Sequence, residues 1–233
     1  MSRTRLWRRR AVAIGAVVLA AIAGYYLWLR DSSLVAVEEV KVKGATTDAE
    51  EIQLALESAA EGMTTLHIDD EALREAVSRF PTVATVRADA SLLHSLTVTV
   101  TERLPVARVQ SAGQTLAVSA DGYLLPGVST AGAKLPPVEG REQAGRLDPE
   151  GTAQVAIIGA APEELRESIA SASWDEDHGG VVVDLEGAPE LRFGDGELAE
   201  QKWRAVAAVL ASPDPGTPAY VDVSVPDRTV TGG

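Results

Sequence analysis

An uncharged run of 19 residues near the N-terminus, Ala11 to Leu29, constrains this chain more than any other feature. At about 1.5 Å per residue, a helix over this run matches the ~30 Å thickness of the hydrocarbon layer of a membrane. Five of the ten residues before the run are arginines, whereas Arg30 after it is offset by Asp31. Because positive charge stays on the cytoplasmic side, the pattern predicts a short basic cytoplasmic tail over residues 1–10, a transmembrane helix over 11–29, and export of the rest.

A cleaved signal peptide is the alternative interpretation of the same run. Ala21-Ile22-Ala23 has the small-x-small pattern that signal peptidases cut. However, the apolar core of a signal peptide is usually only about 7 to 15 residues long, and this run continues to Tyr25, Tyr26 and Trp28. Aromatic rings at one end of a span prefer the headgroup layer, which favours an uncleaved anchor.

Charge and composition limit the function classes of the exported part. Residues 1–30 contain six arginines and no acidic residue, which leaves 15 basic against 34 acidic residues and a net charge near −19. So acidic a surface repels nucleic acid and anionic membranes, and it indicates protein partners. The chain has no cysteine and three widely separated histidines, so no disulfide, thiolate site, metal site or cofactor is predicted.

Residues 35–105 have the pattern of a compact strand, helix, helix, strand, strand module. Val40 and Val42 alternate with lysines before Gly44, and Leu96, Val98 and Val100 alternate with threonines. Between these strands, Thr47-Asp48-Ala49-Glu50 is a capping-box pattern that predicts a helix with an apolar stripe at Ile52, Ala55, Leu56 and Ala59. A second helix is predicted after Asp69 or Asp70, with Leu73, Ala76, Val77 and Phe80 buried and Pro81 closing it.

Residues 106–226 change to short strands and turns with interspersed helices. The pattern predicts hairpins around Ala112-Gly113 and around Gly187 and Pro189, and helices beginning at Asp148-Pro149 and at Ala161-Pro162. A helix over residues 198–211 is predicted to bury Trp203, Val206, Ala207 and Leu210, and Ala219 to Val225 is predicted as a last strand. The fold class is therefore α+β.

These features resemble the FtsQ/DivIB family of bacterial cell-division proteins, which carry a POTRA domain and a β domain after a single membrane anchor. The resemblance in the first module rests on Val40-x-Val42-x-Gly44, Phe80-Pro81-x-Val83 and Glu102-Arg103-x-Pro105-Val106-Ala107. In the second module it rests on Phe193-Gly194, on Lys202 and on the closing segment 220–228. It implies a POTRA domain over 35–105, a mixed β domain with helices over 106–226, and a flexible C-terminal tail over 227–233.

The resemblance also implies a function. The chain would be a non-enzymatic single-pass scaffold in the cell membrane at the division septum, with its bulk outside the cytoplasm. FtsB-like and FtsL-like division proteins, and other membrane proteins of the division machinery, would be its partners. The predicted partner-binding residues are Lys202 together with Tyr220, Val221, Asp222, Val223, Ser224, Val225, Pro226, Asp227 and Arg228.

The pattern of the last strand suggests how a partner would bind. The strand ends at Pro226, which donates no backbone hydrogen bond, and only a polar, glycine-ended tail follows. We therefore expect an open sheet margin, to which an extended partner segment adds by backbone pairing. Alternatively, the final strand only completes the core. Lys202 is open between a plain charge on the helix surface and a structural or interface role.

Other constellations favour ordinary structure over chemistry. Asp175-Glu176-Asp177-His178 lacks the spacing of a calcium loop and is interpreted as a solvated turn, and Gly194-Asp195-Gly196 lacks the remainder of a phosphate loop. Ser168, Ser171 and Ser173 fit no nucleophile motif and are interpreted as a fraying helix end. No catalytic residue is predicted. An envelope transport factor bearing a POTRA domain and, less well supported, a secreted wall enzyme are the alternative functions.

Overall fold

The computed structural model describes residues 14–20, 35–91, 94–212 and 218–232. The chain divides into two compact units, Met1–Glu102 and Arg103–Gly233. Residues 14–20 are helical, and the rest of the predicted anchor over 11–29 lies outside the described residues. Among the residues that the structure describes, no helix has the length and apolar character needed to cross a membrane.

The first unit has the predicted β-α-α-β-β order. Its elements are β1 (Glu39–Lys43), α1 (Ala49–Ala60), α2 (Asp70–Val77), β2 (Val83–Ala90) and β3 (Ser95–Glu102). The sheet has the order β1-β3-β2, with β1 parallel and β2 antiparallel to the central strand. The two helices pack on one face of this sheet, and the threonines of β3 face away from the core as predicted.

The core of the first unit confirms the predicted helix register. Ile52 and Leu56 of α1 are buried together with Leu73 and Val77 of α2, over Leu96, Val98 and Val100 of β3. Full burial of each large aliphatic side chain stabilises the fold by about 1.5–3 kcal/mol. Asp69 begins α2 as expected, because its carboxylate accepts hydrogen bonds from the N–H groups of Glu71 and Ala72.

The predicted capping box of α1 is wrong. The residue before α1 is Asp48, with φ of 54° and no side-chain cap, and Thr47 does not cap the helix. Instead the Glu102 carboxylate accepts hydrogen bonds from the N–H of Thr46 at 2.6 Å and of Thr47 at 2.8 Å, and from the Thr46 hydroxyl. The last residue of β3 thus fixes the entry into α1 across a separation of more than 50 residues. Burial raises the pKa of Glu102, but these three hydrogen bonds outweigh it and hold the pKa below its ordinary value.

In its described residues, the second unit consists of short strands and three helices. Its elements are β4 (Pro105–Ser111), β5 (Gln114–Ser119), β6 (Leu124–Leu125), β7 (Glu142–Gln143), β8 (Arg146–Leu147), α3 (Pro149–Gly159), α4 (Glu163–Arg166), β9 (Ile169–Asp175), β10 (Gly180–Leu185), β11 (Glu190–Gly194), α5 (Ala199–Leu210), β12 (Tyr220–Asp222) and β13 (Val230–Gly232). The predicted hairpins β4–β5 and β10–β11 and the predicted helix starts are present. The largest sheet has the order β13-β12-β11-β10-β9.

One margin of the five-stranded sheet is covered by an extended loop. Leu135 to Val138 run beside β9, where the Ala172 N–H donates to the Pro137 carbonyl at 3.4 Å. On its other side the same loop pairs with Arg108 of β4 through two backbone hydrogen bonds of 3.0 and 2.9 Å. The sequence predicted this segment to be extended, and the structure adds that it joins the two sheets.

The three serines at 168, 171 and 173 are not a fraying helix end. Ser171 and Ser173 lie in β9, which pairs antiparallel with the valine-rich β10, and Ser168 immediately precedes that strand. The Ser171 hydroxyl donates to the Asp184 carboxylate across the pair at 2.8 Å. Alanine and serine have weak strand propensity, so the neighbouring strand, rather than local sequence, determines this conformation.

Candidate partner-binding site

The predicted last strand is shorter than expected and closely tied to the core. Only Tyr220–Asp222 form β12, which runs parallel to β11. Val221 and Val223 are fully buried in the core cluster that also contains Phe193 and Trp203. The backbone N–H of Val223 still donates to the Arg192 carbonyl at 2.8 Å. The inward face of β12 is therefore structural, and only its outward face and outer edge can take part in recognition.

The expectation that no further strand covers β12 is wrong, and residues 227–233 are not wholly a flexible tail. After a turn the chain returns as β13, antiparallel to β12, with Tyr220 opposite Gly232, Val221 opposite Thr231 and Asp222 opposite Val230. The Ala219 N–H donates to the Gly232 carbonyl at 2.7 Å. The margin of the sheet is thus moved outward by one strand, and in the described part of the chain no strand pairs with the outer edge of β13.

A stacked group of side chains covers the solvent face of β12. The Arg192 guanidinium lies 4.0 Å from the centroid of the Tyr220 ring and also binds the Glu190 carboxylate at 2.7 Å. On the side of the Tyr220 ring that faces β13, a methyl group added at Gly232 would lie 2.6 Å from the ring atoms. Glycine at 232 is therefore what allows the Tyr220 ring to lie across β13 in this packing.

The turn between β12 and β13 holds the remaining predicted site residues at the surface. The Asp222 carboxylate accepts from the Ser224 N–H at 2.9 Å, and the Arg228 N–H donates to the Val225 carbonyl at 2.9 Å. Val225 is 55% exposed and Val230 is 49% exposed, so two apolar side chains face solvent beside the open edge. Ser224, Asp227 and Arg228 are exposed and Pro226 is half-buried. The turn is thus accessible to a partner.

Lys202 lies in the core and does not reach the surface. Its side chain is 2% exposed, and its ammonium donates to the Asp195 carboxylate at 2.7 Å and to the Asp195 carbonyl at 2.9 Å. The hydrogen bond from Lys202 holds the pKa of Asp195 below its ordinary value. Burial of Lys202 favours the structural alternative over direct partner contact.

The helix that carries Lys202 is rotated relative to the predicted stripe. Ala207 and Leu210 of α5 are exposed, whereas Lys202, Trp203 and Val206 are buried. Trp203 packs against Phe193 with 4.7 Å between ring centroids, and its indole N–H donates to the Ile157 carbonyl at 2.7 Å. The ion pair therefore fixes the β11–α5 turn directly behind the sheet that bears the candidate site.

Local geometry explains why glycine stands at position 194 in the Phe193-Gly194 motif. Gly194 has φ of 68°, and a Cβ added there would lie 3.0 Å from the Cβ of Ser224. The end of β11 therefore passes closely beside the residue that leads out of β12. This close approach positions the turn that follows β12.

The acidic turn 175–178 shows no geometry for metal chemistry. The His178 Nδ1 lies 2.7 Å from the Asp175 carboxylate, and this hydrogen bond lowers the pKa of Asp175. Within the described ranges, no group of three or more histidine, aspartate or glutamate side chains is placed to hold a metal ion. What the second unit offers chemically is backbone pairing at the β13 margin and apolar contact at the turn.

Sequence reasoning missed four residues of the site: Val230, Thr231 and Gly232 of β13, and Arg192 with its stacking on Tyr220. The adjacent β-branched residues Val230 and Thr231 are a weak strand signal. A three-residue strand is too short for alternation to be recognised. No sequence pattern pairs Arg192 with Tyr220.

Comparison with known proteins assigns both units. The family model "POTRA domain, FtsQ-type" matches residues 35–103, and the model "Cell division protein FtsQ/DivIB, C-terminal" matches residues 107–224. Three similar proteins are each named "Cell division protein FtsQ". The Streptomyces collinus protein is 29% identical over 97% of this chain and 89% of its own length. The Streptomyces bingchenggensis protein is 31% identical over 91% of this chain and 83% of its own length. The Anaeromyxobacter sp. (strain K) protein is 28% identical over 91% and 76%.

Proposed function

Because the chain belongs to the FtsQ/DivIB family of cell-division proteins, we propose that it is a non-enzymatic membrane scaffold of the division machinery. The FtsQ family is a cell-division family and not a known enzyme family. The uncharged run over residues 11–29 and the arginines before it support a single membrane helix with the N-terminus in the cytoplasm. The protein would thus act at the division septum, in the cell membrane, with both units outside the cytoplasm.

The family assignment and the charge pattern also support the domain organisation that we propose. Residues 1–10 form a short cytoplasmic tail, residues 35–105 the POTRA domain and residues 106–226 the β domain. The β13 strand extends the folded part of the second unit to at least Gly232. The net charge near −19 of the exported part supports protein partners over nucleic acid.

The proposed partners of the β domain are FtsB-like and FtsL-like division proteins. The observation that carries this proposal is the asymmetry of the five-stranded sheet. Its β9 margin is covered by residues 135–138, whereas its opposite margin ends in a short hairpin with exposed Val225 and Val230. An exposed strand edge recruits an extended segment through backbone hydrogen bonds, and the side chains beside it supply specificity. POTRA domain and anchor would contribute to recruitment to the septum.

Binding of the FtsB-like partner to matched surface variants tests this proposal. We expect Val225→Asp to weaken binding of the partner's extracytoplasmic segment by at least about tenfold, or ~1.4 kcal/mol. Leu104→Asp is the control, because Leu104 is 77% exposed and the change in charge is the same. Both variants should melt at the wild-type temperature, since neither side chain is in the core. Equal calorimetric affinities of the two variants would exclude the C-terminal hairpin as the binding site.

A further inference from the structure

β13 contributes little to the folded core. Val230 and Thr231 are exposed, and none of the described residues from 224 to 232 belongs to the buried core cluster. The strand is held by backbone hydrogen bonds to β12 and by the contact of Gly232 with the Tyr220 ring. The net value of such hydrogen bonds is small and is opposed by the entropy cost of ordering the turn and strand. β13 therefore belongs to the least stable part of the unit.

β12 is held in place without β13. Val221 and Val223 are fully buried, and β12 pairs with β11 on its inner side. The Glu190 N–H donates to the Ala219 carbonyl at 3.1 Å, and the Val223 N–H to the Arg192 carbonyl at 2.8 Å. Release of β13 would thus leave β12 in position, with its outer backbone groups uncovered.

From this difference we propose that β13 is an intramolecular occupant of the partner's strand site, and that the incoming partner strand replaces it on β12. This inference rests on the function proposed above. The C-terminal family model ends at residue 224, before β13 begins. A partner strand longer than three residues also continues past Asp222 toward the exposed Val225, where β13 has already turned away. It thereby gains contacts that the tethered strand does not make.

The register of β13 specifies what kind of strand fits. The residue opposite Tyr220 must be glycine, because the ring occupies the space that a Cβ would take at that position. Opposite Asp222, the site accepts a β-branched residue such as Val230. The partner is thus an extended segment that runs antiparallel to β12 and carries a β-branched residue two positions before a glycine.

A disulfide lock tests the replacement directly, because the chain has no cysteine of its own. Asp222→Cys with Val230→Cys joins two directly paired positions and holds β13 on β12. Gln110→Cys with Thr115→Cys locks the β4–β5 hairpin as the control. Each full-length variant, in a lipid nanodisc, is titrated with the extracytoplasmic segment of the FtsB-like protein before and after reduction.

We expect reduction of the β12–β13 disulfide to increase partner affinity at least tenfold. Reduction of the control disulfide should leave the affinity unchanged. Equal or tighter binding by the oxidised β12–β13 lock would overturn the proposal, since the partner would then add outside β13. If no form of the chain binds the partner, the proposed function is wrong. A second probe then tests separately whether β13 can be replaced on β12.

The second probe is a synthetic peptide with the sequence of residues 226–233, PDRTVTGG. The chain truncated after Asp227, which lacks β13, should bind this peptide at least tenfold more tightly than it binds the same peptide with Gly232→Val. The oxidised β12–β13 lock should bind neither peptide. Absence of binding to the truncated chain, or equal binding of both peptides, would show that β12 does not accept a replacement strand and would overturn the proposal without reference to any partner.

Discussion

The buried ion pair between Lys202 and Asp195 gives an asymmetric prediction, because its two ends differ in exposure. The Lys202 side chain is 2% exposed, whereas that of Asp195 is 67% exposed. Removing the carboxylate leaves a buried ammonium with the Asp195 carbonyl as its remaining acceptor in the described contacts. Removing the ammonium leaves a carboxylate that water can solvate. We therefore expect Asp195→Ala to destabilise the second unit more than Lys202→Met.

The expected magnitudes follow from the contacts. Loss of the partner of a buried charge costs about 3–5 kcal/mol when no other acceptor is present. Since the carbonyl at 2.9 Å remains, we expect about 1–3 kcal/mol for Asp195→Ala. Lys202→Met retains the aliphatic volume and removes the buried charge, so its cost should be below about 1 kcal/mol. Asp195→Asn keeps an oxygen acceptor for both Lys202 and the Glu197 N–H. Its cost in free energy of unfolding should therefore lie between the costs of the other two variants.

Urea unfolding followed by tryptophan fluorescence measures these differences. In a fragment of residues 35–233 the two tryptophans are Trp174 and Trp203, which both lie in the second unit, so the signal reports that unit. If Lys202→Met costs as much free energy of unfolding as Asp195→Ala, the argument from exposure is wrong.

The pair also predicts a pH dependence. Because the pKa of Asp195 is lowered in the fold, its stabilising contribution is present above its unfolded pKa of about 3.9 and is lost as the pH falls through the folded value. The difference in stability between wild type and Lys202→Met should therefore shrink toward acid pH. An unchanged difference at low pH would contradict the assignment.

Three further predictions concern the first unit and the topology. Leu73→Ala should lower the free energy of unfolding of the first unit by about 2–5 kcal/mol in calorimetry, whereas Leu54→Ala, at a 65% exposed position, should change it little. Glu102→Ala should cost about 1 kcal/mol at pH 7 by releasing the start of α1. Because the fold lowers the pKa of Glu102, this cost should be complete above the unfolded pKa of about 4.3 and should decrease as the pH falls through the lower folded value; a constant cost would exclude the ionised cap. In intact cells Ser2→Cys should resist an impermeant thiol reagent and the exposed Ser129→Cys should react, and the reverse pattern would exclude the proposed topology.

Local patterns in the sequence were sufficient for the first unit. Two amphipathic helices and a strictly alternating strand can bury all their apolar faces in one arrangement. In that arrangement Ile52, Leu73 and Val98 meet, as predicted. The start of α1 was the exception. Its amides are bound by Glu102, and a contact across more than 50 residues leaves no local pattern at Thr47.

In the second unit, the same kind of reasoning failed where polar residues are buried and strands are short. Lys202 fitted an exposed helix face, but its ammonium is held behind the sheet by Asp195. The exposure of Ala207 and Leu210 follows from that rotation of α5. Serine and alanine in β9 gave no strand signal, because its pairing depends on β10.

The sequence by itself determined the membrane-length run, the order of elements in the first unit and the α+β class, since periodicity, caps and turn residues act over a few neighbouring positions. Short motifs carried the family resemblance. Only the tertiary structure decided which strand forms the margin of the sheet. Tyr220–Asp222 and Val230–Gly232 are each three residues long, and what joins them is backbone hydrogen bonding together with the space beside one glycine. Backbone groups are the same in nearly every residue, so the choice of pairing partner is made by packing of the whole unit and not by local sequence.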